Sequence, residues 1–463
     1  MSPSPPAAPW LGHLRRVLGW LIVLVPLWAA LRPTPGTLWG AESAGIYSRL
    51  HGWWYAAQNA PPILGFPRAG VAPQPEPLAR LVGGLVPELV RSVGAPALVL
   101  GLLGLQLGAC IVVARRATYA AGPVWGPVSA AIFCVSPGML TFLAEGDAEA
   151  GAAFGVLLAP LCPGLWVVPA GLLLALLAPG LVPVALLHGA VSAWPDADPV
   201  RRRALGFAGI ASALLALGLG LPRPRTPDLV GWLTHIDPGP DPEQFPVFVG
   251  FLPLACLVVA LTVPEARRMV AGAAIALALA GVRSPLPTDR LLILVPLYAA
   301  LGAAAASARW FPSIHVQSGL LCGALLLGEA WMGASVPLPL PRVALAPPEP
   351  LAAVPPGPVL DLPATPGASQ KSRYFQSIHG QPIAGDPQGQ LHPSVLEHVD
   401  ALVAGSCPDL HAAGFRSVIA RREQSFVQIG SLITCLGTPR ADDGNVAVWA
   451  LDGTLTSGGT EGG

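Results

Sequence analysis

The chain has 463 residues, 53% of them hydrophobic and 11% charged, with 26 basic and 26 acidic side chains giving a formal net charge of zero. A soluble globular domain averages about 25% charged residues, so this balance excludes an ordinary soluble protein. The zero net charge excludes steering to nucleic acid by an overall field.

Apolar runs approaching the ~20 residues that span a ~30 Å hydrocarbon core recur up to residue 336. The expected fold class is an all-α polytopic membrane bundle, with about ten or eleven transmembrane helices, plus a small C-terminal α/β soluble domain. The expected organisation is a bundle over 1–336 with an outer-face loop at 32–91, a Pro-rich linker at 337–358, and a periplasmic α/β domain at 359–463.

In chain order, Arg15-Arg16 precede an apolar segment, Val17 to Leu31, read as a retained helix; a signal peptide is the alternative. Loop 32–91 follows. Crossings are expected at Val93–Val113, ending at Arg115-Arg116, and at Tyr119–Val135. The block Ala152 to Trp194 is interrupted by prolines and reads as three short crossings, or as one plus a re-entrant hairpin. Further crossings are expected at Leu205–Leu221, Val247–Val263, Met269–Val282, Leu291–Ala306 and His315 to Ala334. If these alternate, Arg15-Arg16, Arg115-Arg116, Arg201–Arg203, Arg267-Arg268 and Arg309 fall on one side, which the positive-inside rule makes cytoplasmic. The N-terminus is then cytoplasmic, and the tail lies outside a bacterial inner membrane.

In the tail, Pro358–Pro363, Arg416–Ala420 and Asn445–Leu451 read as strands, the last after an Asp442-Asp443-Gly444 turn. Helical stretches are expected near Pro393–Val403 and Glu423–Leu436. Cys110, Cys134, Cys162, Cys256 and Cys322 lie in apolar runs as small core residues, while Cys407 and Cys435 can pair in an oxidising compartment. Lys371 is the sole lysine, a usage consistent with GC-rich coding.

No P-loop, HExxH, GxSxG or dinucleotide-binding glycine pattern is present, so interest falls on polar groups of the outer face. In the first outer loop, Ile46, Leu50, Trp53 and Ala57 make an apolar stripe opposite Ser48, His51, Tyr55 and Gln58. Such a helix either caps the bundle or lies in the membrane interface, presenting Glu42 and His51 to a lipid-linked substrate. Asp147, between Glu145 and Glu149, is either a solvated loop or a carboxylate cluster for an acceptor hydroxyl or a metal ion. Arg283 and Arg290 flank an outer Pro-rich turn, as interfacial anchors or as phosphate ligands. Glu329 is explained by snorkelling, and His379 before Gly380 by a turn or by acceptor binding.

Four stretches carry a family likeness: Leu38–Glu42 running on to Gly52-Trp53-Trp54; Phe142–Glu149; Arg283-Ser-Pro285 to Arg290; and the tail segments Val359–Pro363, Tyr374–Ile383, Ala413–Ile419 and Asp443–Leu451. In this order they resemble bacterial GT-C-type membrane glycosyltransferases with a periplasmic C-terminal domain. The resemblance implies a polyprenyl-phosphate-linked sugar as donor, contact with membrane lipid, and transfer at the outer face to a periplasmic acceptor. It implies Glu42 as general base, with Asp147 or Glu149 as the second acidic site. Arg283 and Arg290 become candidates for the donor phosphate, with a divalent cation (Mg or Mn) as candidate cofactor. Where such enzymes present Gly-Asp, this chain has Ala41-Glu42. That departure keeps a non-catalytic envelope or assembly protein on the same scaffold as the alternative. A transporter is disfavoured, because the crossings carry almost no mid-membrane charge.

Overall fold

The computed structural model describes residues 9–32, 37–39, 46–58, 77–136, 181–193, 251–281, 288–310, 342–363, 366–384, 404–422 and 432–451, with scattered positions at 172, 199–214, 318–329 and 429–430. In chain order the elements are α1 (Pro9–Leu31), β1 (Thr37–Trp39), α2 (Ile46–Ala56), α3 (Pro77–Leu85), α4 (Pro87–Val93), α5 (Ala95–Cys134), α6 (Val182–Ala193), α7 (Phe251–Ala260), α8 (Arg267–Ala280) and α9 (Leu294–Trp310). The tail adds β2 (Arg342–Ala344), β3 (Val359–Leu362), α10 (Pro366–His379), α11 (Cys407–Ala412), β4 (Ser417–Arg421), α12 (Ile433–Leu436), β5 (Ala441–Asp442) and β6 (Val446–Ala450). The fold is therefore mostly helical with a small mixed sheet. Two compact units emerge, a helical one (Met1–Pro35 with Leu100–Pro341) and a mixed one (Gly36–Val99 with Arg342–Gly463). This grouping differs from the expected division, in which loop 32–91 belonged with the bundle.

In the helical unit, α1 begins before Arg15-Arg16, so these residues are helical and not a flank. The reversal expected at Arg115-Arg116 occurs instead at Gly122, where φ is +83° and Pro123 follows. Glycine takes that backbone conformation without a Cβ clash, and proline cannot continue the hydrogen-bond ladder, so α5 is two helices folded back on each other. Across the fold, Cys134 Sγ lies 3.5 Å from the carbonyl oxygen of Cys110.

Helices α7, α8 and α9 meet through small residues, with Ala260, Val263, Ala266 and Ala306 in one buried cluster. Small side chains let helix backbones approach closely, which suits packing where apolar surface alone gives no driving force. Among the described residues, Arg290–Trp310 is long and apolar enough to cross a membrane, while Val182–Val191 and Phe251–Ala260 are apolar but shorter. Much of the expected crossings at 152–180, 205–221 and 315–334 lies outside the described residues. Glu329 accepts hydrogen bonds from the backbone N–H groups of Phe251 and Leu252 at the start of α7. A carboxylate there offsets the exposed donors of a helix N-terminus, a more specific role than snorkelling.

In the mixed unit, β3, β4 and β6 form where the apolar runs predict them, joined by β5 in the order β3-β4-β6-β5. The β3–β4 pair is parallel and the others antiparallel. Leu360, Leu362, Val418, Ala420 and Trp449 share one buried cluster with Leu410, Phe415 and Leu432. Cys407 and Cys435 are joined by a disulfide at the edge of that cluster. The Asp443-Gly444 turn is held by Asp443 Oδ1, which accepts from Asn445 N at 2.9 Å and Val446 N at 2.7 Å. The stretch 393–403 and most of 423–431 lie outside the described residues.

Three features were not anticipated. Helix α10 was not read as helical, because its sequence, PGASQKSRYFQSIH, carries few apolar positions. Strand β1 pairs antiparallel with β2, so the segment before Glu42 is bonded to one at the start of the tail. The Pro-rich linker is not a free spacer from Arg342 on, since it supplies β2 and a 3₁₀ turn with Pro350 and Leu351 buried.

Candidate functional site

Helix α2 buries its apolar face and, on the polar one, His51, while Tyr55 and Gln58 stay partly exposed. Tyr47, Leu50, Trp53 and Ala57 are 3% exposed or less, and so is His51, from the stripe expected to face outward. Helices α10 and α3 cover α2, so protein takes the place expected of a membrane interface. A Cβ on Gly83 of α3 would stand 2.7 Å from that of Ala56, so only glycine permits this approach. Burying His51 is tolerable because its Nε2 meets Gln376 Oε1 of α10 at 2.9 Å. Gln376 Nε2 in turn donates to the Gln381 carbonyl at 3.1 Å, so the ring Nε2 carries the proton and donates. Burial holds the His51 pKa down to about 4, and the Arg373 charge adds to this. His51 is thus a neutral donor fastening α2 to α10.

His379, at the end of α10, accepts from the Gln381 backbone N–H at 3.0 Å through Nδ1, an arrangement that supports the turn. Its burial also lowers its pKa to about 4.

The sheet's second face carries charge. Asp361 pairs in register with Ile419. With a side-chain period of two, Arg421 therefore projects from the same face as Asp361. Arg421 Nη2 stands 3.4 Å from Asp361 Oδ1, and both side chains are at most 5% exposed. The guanidinium also donates to the Leu362 and Pro363 carbonyls and to Ser372 Oγ at 3.2 to 3.3 Å, with its carbon 5.9 Å from the Phe375 ring centre. Burial raises the Asp361 pKa, and the Arg421 charge opposes the shift.

Above this pair opens a cleft of about 370 Å³. Tyr47, Lys371, Tyr374, Phe375 and Asn445 are among the residues that line it. Tyr47 and Tyr374 stack with centroids 5.1 Å apart. The Tyr374 hydroxyl donates to the Leu345 carbonyl at 2.7 Å, fixing the wall that follows β2.

Of the residues singled out from sequence, Glu42, Asp147, Glu149 and Arg283 lie outside the described residues. Arg290 is half-buried in the 3₁₀ turn that leads into α9, and His51 is in the mixed unit as above. No group of three His, Cys, Asp or Glu side chains suited to a metal ion occurs among the described residues. Sequence reading passed over Asp361, Lys371, Arg421 and Asn445. A usable signal was present: a single carboxylate inside the apolar run Val359-Leu-Asp-Leu362, and an arginine ending Ser417-Val-Ile-Ala-Arg421, each require a buried partner.

No family model matches the chain, and no curated protein matches it. Among solved structures it is similar to the arabinofuranosyltransferase AftD from mycobacteria, with TM-score 0.52 and 15% identity over 96% of this chain and 40% of that one. It is also similar to an Archaeoglobus fulgidus oligosaccharyltransferase solved with zinc and sulfate, with TM-score 0.45 and 11% identity over 89% of this chain and 68% of that one. The chain spans less than half the length of the arabinofuranosyltransferase, at 40%. At this identity the likeness is one of fold. The solved structures that this chain resembles are GT-C-fold membrane glycosyltransferases, the family its motifs pointed to.

Proposed function

We propose that the protein is a membrane glycosyltransferase that moves a sugar from a polyprenyl-phosphate donor to a periplasmic acceptor. The observation that carries this reading is the fold likeness to an arabinofuranosyltransferase over 96% of the chain. In this reading Glu42 takes the proton of the acceptor hydroxyl as that oxygen attacks the anomeric carbon, and the polyprenyl phosphate departs. Arg283 and Arg290 stabilise the charge on the leaving phosphate. Asp147 and Glu149 orient the acceptor, and their hard oxygen donors have the chemistry to hold a divalent cation.

A membrane location is supported by α1, where Trp10, Leu14, Val17, Leu21, Leu24 and Trp28 are exposed along one face. Lipid covers such a stripe without the cost that water imposes. The Cys407–Cys435 pair supports an extracytoplasmic mixed unit, because cytoplasmic thiols are kept reduced. Alternation of the arginine clusters supports a cytoplasmic N-terminus in a bacterial inner membrane.

The test is transfer or sugar release by purified protein from a panel of radiolabelled polyprenyl-phosphate sugars, with and without divalent cation and chelator. Turnover by the wild type, lost in Glu42→Gln with the protein still inserted, is expected. Full turnover in that variant overturns the assignment of the base. The second reading, a non-catalytic scaffold, is favoured by Ala41-Glu42 standing where similar enzymes present Gly-Asp. Lengthening the side chain by a methylene moves the carboxylate on the ångström scale to which catalysis is sensitive. Folded protein that neither turns over nor binds any lipid of the panel would establish it.

A further inference from the structure

The mixed unit buries most of its large apolar side chains, and the exceptions are gathered in one place. Among its described residues the exposed ones are Leu81, Leu85, Val86, Leu89 and Val93, with Ile433 alone elsewhere. The first five lie on α3, on α4 and at the residue between them, and Leu85 is 73% exposed. Single exposed apolar residues are ordinary on a protein surface, whereas a contiguous group marks a surface that another apolar phase covers.

The opposite side of the same two helices is fixed. Gly83 meets Ala56 of α2, Val90 is buried, and Arg91 Nη2 donates to the Ala57 carbonyl at 2.6 Å. On α3, Leu81 and Leu85 stand one turn apart and about half a turn round from Ala79 and Gly83, the positions that face inward. The exposed side is therefore set by packing, and neither helix can turn it inward without losing these contacts.

The course of the chain names the cover. Past α4 it bends at Gly94, where φ is +82°, and enters α5, on which Leu100, Leu105, Ile111 and Val112 are exposed in turn. Exposed apolar surface thus continues along the chain from α3 into a stretch expected to cross the membrane. A soluble partner would have to stop at that crossing, whereas lipid covers both parts. Arg80, exposed on α3, adds a guanidinium fork that matches the oxygens of a lipid phosphate. Apolar helix faces with basic residues beside them lie at the boundary between headgroups and acyl chains.

We infer that α3 and α4 form an elbow that seats the mixed unit on the outer leaflet of the bilayer. Leu81, Leu85, Val86 and Leu89 reach below the phosphates, and Arg80 holds a lipid phosphate. The inference rests on the membrane location and topology proposed above. The interfacial role expected of α2 passes to two helices packed against it.

The experiment uses the full chain in nanodiscs of phosphatidylethanolamine and phosphatidylglycerol. Cys110, Cys134, Cys162, Cys256 and Cys322 are replaced by alanine, and the Cys407–Cys435 bond is kept. A nitroxide is attached in turn at Leu85→Cys, at Leu89→Cys, at Val25→Cys on α1 as the lipid reference, and at Arg440→Cys as the water reference, all exposed positions. Power saturation reads collisions with oxygen, which concentrates in hydrocarbon, and with a water-soluble nickel chelate. Labels at Leu85 and Leu89 should favour oxygen, as at Val25, while the label at Arg440 favours nickel. Adding Arg80→Glu should lower the oxygen preference at Leu85; an unchanged ratio overturns the phosphate contact. Nickel preference at Leu85 and Leu89 beside oxygen preference at Val25 overturns the inference and leaves the membrane reading standing. Few collisions with either probe at Leu85 and Leu89 reveal protein cover and overturn it as well. Nickel preference at Val25 too removes the membrane reading and the inference together.

Discussion

The two units of this protein solve the problem of burial in opposite ways. The helical unit packs alanine and glycine against one another and leaves large apolar side chains on its outside, such as Trp10, Trp28, Phe251 and Val258. The mixed unit buries large apolar residues and, on the other face of the same sheet, an ion pair and a histidine–glutamine contact. In hydrocarbon, burying an alkyl group against protein gains little over leaving it in lipid, so close backbone approach dominates. In water, apolar burial stabilises the fold directly, and any polar group taken along must be paired. In the membrane reading proposed above, the contrast between the units is one of solvents, and it can be broken experimentally.

The largest effect should come from the buried pair. Removing one partner, as in Arg421→Met, takes from Asp361 its paired guanidinium and should cost about 3–5 kcal/mol in chemical unfolding. The double variant Arg421→Met with Asp361→Leu should recover a good part of that loss, because apolar replacements of a whole buried pair are often tolerated. A single variant costing under about 1 kcal/mol would show that water reaches the pair, and the contrast between the units would weaken.

Next in size is the disulfide. Cys407 and Cys435 are 28 residues apart, so replacing both with serine releases a closed loop and should cost about 2–4 kcal/mol. Protein taken from native membranes should carry this bond in the proposed topology; free thiols at both positions contradict an outside location.

In the helical unit, a side chain at Gly272 would begin 2.7 Å from the Tyr298 ring. Gly272→Val should cost about 1–3 kcal/mol through overpacking, measured as a lower thermal transition in detergent. A neutral result would mean that α8 and α9 can slide apart, against close small-residue packing.

A separate effect, read as a slope and not as a single loss, is the pH dependence that two histidines bring to the mixed unit. His51 and His379 have folded pKa values of about 4 against an ordinary 6.5, so between those values the unfolded chain binds more protons. Stability should be flat above pH ~6.5 and fall by about 1.4 kcal/mol per pH unit for each histidine as pH drops toward 4. His51→Gln keeps a donor for Gln376 and removes the titration, so it should make the slope shallower in thermal melts across that window. An unchanged slope would place the charge change elsewhere.

Features settled within a few residues were legible in the sequence. Strands β3, β4 and β6 form where apolar runs are bounded by Pro, Gly and Asp, and the Asp443-Gly444 turn forms because its side chain and backbone suffice to close it. The apolar stretch around 290–310 was visible by length alone, and the motif order pointed to the fold that the comparison with AftD supports. Helix α10 was not legible, since most of its residues are polar and its cover over the sheet depends on what lies beneath it.

What the sequence by itself determined, then, was local conformation, the excess of apolar surface and the order of motifs. Which polar side chains would be buried was decided only by tertiary structure. His51 stands on a stripe that looks solvent-facing, yet its partner is 325 residues away on α10. Arg421 gains Ser372 as a partner, 49 residues away, only because parallel strands bring β3, β4 and α10 together. Hydrogen bonds and ion pairs cost little to break in water but much to leave unmade in a core, so the pairing of such groups follows from the packing that excludes water from them.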